Sequence, residues 1–326
     1  MDTDTDGTII GSGLMMGGVA GRINAVSATA CTNEGEVFFD VNRGGQRAYD
    51  NICYGGVIGG NTGAVILSSC ENDGYVHGGV NINTSGDGST GVTWAGGVAG
   101  SISGASSISD CINRGPVTNR QYSKINSMNP SSGVTYPGTG GIVGAAVGTS
   151  SGHITIANCN LPAGGYAINS RRGAAGGIAA YTDYAEVSGC TVSVNLANQA
   201  ATVQYEKYDA NSFYLGGIVA VANHSTLSGC DMRGNIASSQ KKYLGGIVAG
   251  AYNSSTVNGC TYKGDIASVT GSGTGYGSVA GFAQKTCTLS NNRFAGTVDG
   301  TTMSADTQVT TGSPTLNNNS YDPTLE

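Results

Sequence analysis

Nine cysteines, three closely spaced aspartates and a scatter of aromatic rings are the side chains through which this chain of 326 residues could do chemistry. Seven thiols, Cys31, Cys70, Cys111, Cys159, Cys190, Cys230 and Cys260, recur singly, never as the Cys-x-x-Cys pairs that zinc sites favour, so zinc is disfavoured. Thiols at one position of a stacked repeat form a column about 4.8 Å apart. Their parallel Cβ vectors are then farther apart than the ~3.8 Å a disulfide prefers, and buried thiols acting as small hydrophobes are expected. Cys53 stands outside that column, where other units place Trp94, Tyr214 and Tyr243, and is the thiol to test for exposure and reactivity.

Asp2, Asp4 and Asp6, followed by Gly7, match the opening of a calcium-binding loop. The twelfth position is Gly13 instead of a bidentate Glu, so calcium would need ligands from elsewhere, and a solvated acidic terminus is the plainer reading. No other cofactor is implied. Carboxylates that could serve a polysaccharide-cleaving site are scattered: Asp183 with Glu186, then Glu206 with Asp209, and Arg171-Arg172 upstream. His77, His153 and His224 fall at unrelated places, so no nucleophile-base grouping can be argued and a non-catalytic chain is expected.

The elements that must position these residues are set by a repeat. Gly-Gly followed by Val or Ile and a small residue occurs at Gly17, Gly55, Gly96, Gly140, Gly176, Gly216 and Gly245, with the variant Gly277-Ser278-Val279. Each phrase is followed by the cysteine slot, which holds Asn292 in the eighth unit, with an aliphatic or Ala three residues before it and, in most units, an aliphatic six residues after. Small or αL-tolerant residues precede the slot, marking a corner. Short β candidates between fixed corners, with no 3.6-residue apolar stripe, predict an all-β fold: a parallel β-solenoid of about eight three-sided coils, with right-handed crossovers. The β-branched residues from Val19 to Val279 should stack inside, and Asn33, Asn72 and Asn113 should form an amide ladder. Residues 1–16 then make an N-terminal edge or cap, 17–305 the repeats, and 306–326 a C-terminal cap or linker.

Three units carry Cys-x-Asn-x-Gly-x-Val after the Gly-Gly phrase, clearest at Cys31 to Val37, Cys70 to Val76 and Cys111 to Val117. This resembles the GLUG-type repeat of large bacterial surface proteins, including adhesin-like proteins and non-catalytic regions of immunoglobulin-A-cleaving metallopeptidases. The resemblance covers almost the whole chain and implies a segment of a surface protein; Met1 leads directly into Asp2-Thr3-Asp4 with no basic and apolar leader, so an exported segment lacking its signal peptide is expected, with a cytosolic protein the alternative. Later units depart from it, with Val192, Met232, Tyr262 and Phe294 in the Asn slot.

A net charge of −6 with 15 scattered Lys and Arg offers no basic stripe for nucleic acid, and no apolar run is long enough for a membrane-spanning helix. Unit length varies mainly between the strand after the cysteine and the next Gly-Gly, so insertions should project from one edge. They carry Trp94, Tyr122, Tyr136, Tyr205, Tyr208, Tyr214 and Tyr243 among amides and hydroxyls, which suits a glycan or a host surface protein. The competing reading is that these rings pack over the coil. Adhesion or ligand presentation is therefore the first expectation; a polysaccharide-degrading or phage-tail-like protein and a plain spacer are the alternatives. Open solenoid ends also permit end-to-end association.

Overall fold

The computed structural model describes residues 14–44, 52–83, 93–119, 137–164, 167–170, 173–198, 214–238, 243–268, 275–303 and 309–325. Among them every regular element is a strand. The strands stack into five long sheets, numbered here in the order a coil visits them, with eight strands in sheet 1 and nine in each of the others. The chain is a parallel β-solenoid. The second coil shows the plan: Ile52–Gly55 in sheet 1, Ile58–Asn61 in sheet 2, Ile66–Ser68 in sheet 3, Glu71–Asn72 in sheet 4 and Val76–Asn83 in sheet 5. Each strand pairs in parallel with its counterpart one coil away. At the far end, Thr310–Gly312, Thr315–Asn317 and Ser320–Tyr321 extend sheets 2, 3 and 4, while Thr301–Thr302 folds back antiparallel on Thr297–Val298 in sheet 5.

A coil therefore has five strands where the sequence pattern suggested three. The Gly-Gly phrase does not sit within a strand; it reverses the chain between sheets 1 and 2. Val57, Val98, Ile142, Ile178, Ile218, Ile247 and Val279 follow it, all fully buried in the main core, and only Val19 at the open first coil is exposed. The second glycine makes room for whatever fills the sheet 4 slot. A Cβ on Gly56 would overlap the Asn72 amide, one on Gly141 the Leu161 side chain, and one on Gly246 the Tyr262 ring. None of these glycines has a positive φ, so close approach, not backbone freedom, is the reason for the residue type.

The sheet 4 column begins with an amide ladder. Asn33 Nδ2 donates to Asn72 Oδ1 and Asn72 Nδ2 to Asn113 Oδ1, each at 2.7 Å. The second donor of each amide reaches the carbonyl two residues on, at Gly35, Gly74 and Gly115. The first three coils thus share one bonding pattern. From the fourth coil the slot becomes apolar, with Leu161, Val192, Met232, Tyr262 and Phe294 all fully buried. Tyr262 is the misfit, because its buried hydroxyl has no hydrogen-bond partner. Tyr262→Phe should leave stability unchanged or raise it by about 1 kcal/mol in a urea titration, since removing an unsatisfied hydroxyl removes its desolvation cost.

The corner between sheets 3 and 4 is the left-handed one expected. Ala30, Ser69, Asp110, Asn158, Gly189, Gly229, Gly259, Asn291 and Asn318 have φ between 52° and 64°. The thiol that follows turns inward, and Cys70, Cys111, Cys159, Cys190, Cys230 and Cys260 are buried, reduced and in the main core. Each donates to the carbonyl two residues before it. Asn292 and Asn319 continue the column with Asn292 Nδ2 donating to Asn319 Oδ1 at 2.8 Å.

Candidate functional site

The reversal at Gly-Gly lays the outer faces of sheets 1 and 2 against each other. A Cβ on Gly100 would meet the Tyr54 and Cys53 backbone, and one on Gly281 the Leu244 backbone, while Ala180, Ala220 and Ala249 fill the same position in three coils, so a residue no larger than Ala lets the two sheets touch. Between them lies a second apolar cluster outside the tube: Cys53, Trp94, Ala145, Ala174, Tyr181, Tyr214, Val221 and Tyr252, with Met15, Tyr243 and Phe282 at its rim. Trp94 and Tyr181 centroids are 6.1 Å apart, Tyr214 and Tyr243 5.1 Å, and Tyr243 and Phe282 5.3 Å. The Tyr214 and Tyr252 hydroxyls bond each other at 2.8 Å.

These positions correct the expectation for three of the candidate binding residues. Trp94, Tyr214 and Tyr243 are strand residues, not loop residues; Trp94 and Tyr214 are buried and Tyr243 half-buried. They pack over the coil because the outward face of sheet 1 is covered by sheet 2, and water is excluded from it. Tyr122, Tyr136, Tyr205 and Tyr208 lie outside the described residues, as do Asp2, Asp4 and Asp6. Among the described residues no group of three or more His, Cys, Asp or Glu could hold a metal ion.

Cys53 does pair in register with Trp94, as the sequence alignment of units implies. It is not exposed, however: burial pushes its thiol up to about 12. A thiol-reactive chromogen should therefore label native protein at Cys31, the half-exposed member of the column, and leave Cys53 and the six buried column thiols unmodified until denaturant is added. Mass spectrometry after a brief pulse reads this, and rapid native labelling at Cys53 would contradict the packing.

The edge where sheet 1 strands begin and sheet 2 strands end is reached by two kinds of connection. The passage from sheet 5 to sheet 1 varies from three residues (171–173) to eighteen (120–137), whereas the passages from sheet 1 to 2 and from sheet 3 to 4 take two residues in every coil. Because sheets 1 and 2 run back on each other, the other side of that edge is the corner between sheets 2 and 3. There the structure gathers residues that looked unrelated in sequence. In the fourth coil this corner is lengthened to 148–153, closed by a bridge between Thr149 and Gly152, and it delivers His153 beside Tyr184. The Tyr184 ring lies 6.0 Å from His153 and is stacked on His224 at 4.4 Å, 2° from parallel.

Each imidazole is held by a carboxylate, His224 Nδ1 by Asp183 Oδ1 at 3.1 Å and His153 Nδ1 by Glu186 Oε1 at 3.4 Å. Asp183 also accepts from Asn223 Nδ2 at 3.0 Å and from the Tyr181 hydroxyl of the crevice at 3.5 Å, which joins corner and crevice into one surface. Tyr184, His224 and Asn253 occupy the corner with φ of 47°, 44° and 48°, a strained choice for residues other than glycine. Unequal unit lengths hid this grouping; only the recurrence of a residue just after each sheet 2 strand could have signalled it. His77, the third histidine, sits apart on sheet 5, stacked on Tyr75 at 4.0 Å and bonded to Glu36 at 2.5 Å.

Comparison with protein-family models, with curated proteins and with solved structures finds no match to this chain.

Proposed function

We propose that this chain is a non-catalytic β-solenoid region of a bacterial surface protein, of the GLUG-repeat kind, that holds a glycan or a host protein along one edge. The observation that carries the reading is the contrast in connection length: two residues in every coil from sheet 1 to 2 and from sheet 3 to 4, against three to eighteen from sheet 5 to sheet 1. A frame kept constant while one edge varies is how repeat proteins separate stability from recognition. The edge also collects half-exposed rings, imidazoles, amides and carboxylates, the side chains that contact sugars and protein surfaces.

The test is a screen of the purified chain against immobilised glycans and host surface proteins, read for both capture and depolymerisation. Capture without chain shortening is expected. Shortening of any polysaccharide would replace this reading with the polysaccharide-degrading alternative, and a screen without capture would leave a spacer.

A further inference from the structure

The corner between sheets 2 and 3 presents one polar side chain per coil over four successive coils: His153, Tyr184, His224 and Asn253. Three features make this row a preformed surface. Tyr184 and His224 are stacked and His153 lies tilted 6.0 Å from Tyr184, so the ring planes are set before any ligand arrives. The imidazole Nδ1 atoms are engaged: Glu186 holds that of His153 and Asp183 that of His224, which leaves Nε2 as the ring nitrogen available to a ligand. Asn253 is fixed on both sides, its Nδ2 donating to Asn223 Oδ1 at 2.7 Å and its backbone N–H to Gln284 Oε1 at 2.9 Å.

The atoms left over point to the ligand. Among the described residues Nε2 of His153, Nε2 of His224 and the Tyr184 hydroxyl have no hydrogen-bond partner, and all three residues are at least partly exposed. They repeat at the coil spacing of about 4.8 Å along the axis, about 14 Å from His153 to Asn253. Two imidazole nitrogens flanking a hydroxyl suit a partner that presents hydroxyl groups, which both donate and accept, at a similar repeat. Tyr184 and His224 each cover one face of the other, so recognition is through the ring edges and their polar atoms.

We infer that the His153–Tyr184–His224–Asn253 row is a subsite for an extended neutral polysaccharide chain lying parallel to the solenoid axis. This rests on the reading above that the crevice edge is the binding surface, and it narrows the ligand from a glycan or protein to a linear glycan read by its hydroxyls. Stacking and the paired carboxylates have already restricted the rings, so little side-chain entropy remains to be lost on binding. The positive φ at Tyr184, His224 and Asn253 is the backbone cost of turning these side chains outward at a tight corner.

The experiment is isothermal titration of the full chain with soluble xylan, mixed-linkage β-glucan and polygalacturonate, with polylysine and zinc chloride titrated separately. Binding of at least one of the two neutral polysaccharides is expected. His224→Ala should weaken it by about tenfold and Tyr184→Phe, which keeps the stack and removes one hydroxyl, by about threefold, both with unchanged circular dichroism. Binding of neither neutral polysaccharide, or of zinc or polylysine alone, overturns the inference. So does equal binding by wild type and both variants. If that binding is instead lost when residues 199–213 are replaced by a connection as short as 171–173, the row has failed while the edge reading stands.

Discussion

Ile218→Asp should split the solenoid. Ile218 is fully buried between Ile178 and Ile247 in the column behind the Gly-Gly reversal. It lies at the centre of the stack, so no end is near enough for the side chain to escape to water. An ionised carboxylate there has no basic partner, and burying it unpaired, or burying it protonated without a hydrogen bond, costs about 4 kcal/mol or more. In a repeat protein that cost falls on the coils that share the column, and nearest-neighbour coupling then fails at one point. The expected result is loss of the single cooperative urea transition, with a first transition well below the wild-type midpoint. Unchanged circular dichroism and an unchanged midpoint would contradict the coil assignment.

Gly217→Val should be nearly as damaging, for a different reason. A Cβ on Gly217 would overlap the carbonyl oxygen of Gly246 in the next coil and come within 2.7 Å of Met232 Cγ. The obstacle is backbone, and backbone at the reversal cannot yield without breaking the pairing of sheets 1 and 2 on both sides. A loss of about 3 kcal/mol or more is expected, at the upper end for overpacking. Gly229→Ala is the matched control. Gly229 has φ of 58° with no atom within 4 Å of a Cβ, so the substitution meets backbone strain alone and should cost about 1 kcal/mol. A reversed order of these two losses would mean that conformational freedom, not close approach, selects glycine in the repeated phrase.

Features that depend on one coil meeting its copy were legible in the sequence. The β-branched column, the buried thiols, the left-handed corner before them and the Asn33–Asn72–Asn113 ladder each follow from residue type at a fixed repeat position. What escaped was the path of the coil in cross-section. Nothing in an outward-facing Trp94 or Tyr214 reveals that the next strand doubles back to cover it; the evidence was in the small residues that close each repeated phrase, Gly100, Ala180, Ala220 and Gly281 among them, which let two sheets touch. The candidate site escaped for a related reason. His153 and Tyr184 are 31 residues apart and Tyr184 and His224 are 40, because the connections between them differ in length, yet they occupy one corner of three successive coils. Sequence spacing measured the insertions, and only pairing register placed the side chains.

The claim that one edge binds while the remaining faces serve as frame is tested most directly by hydrogen exchange of the full chain with and without a captured glycan. Protection should concentrate at that edge, in 148–155, 181–186 and 222–226 and in the connections from sheet 5 to sheet 1. Protection centred instead on sheet 4, around Asp231–Met232 and Thr261–Lys263, would contradict the account.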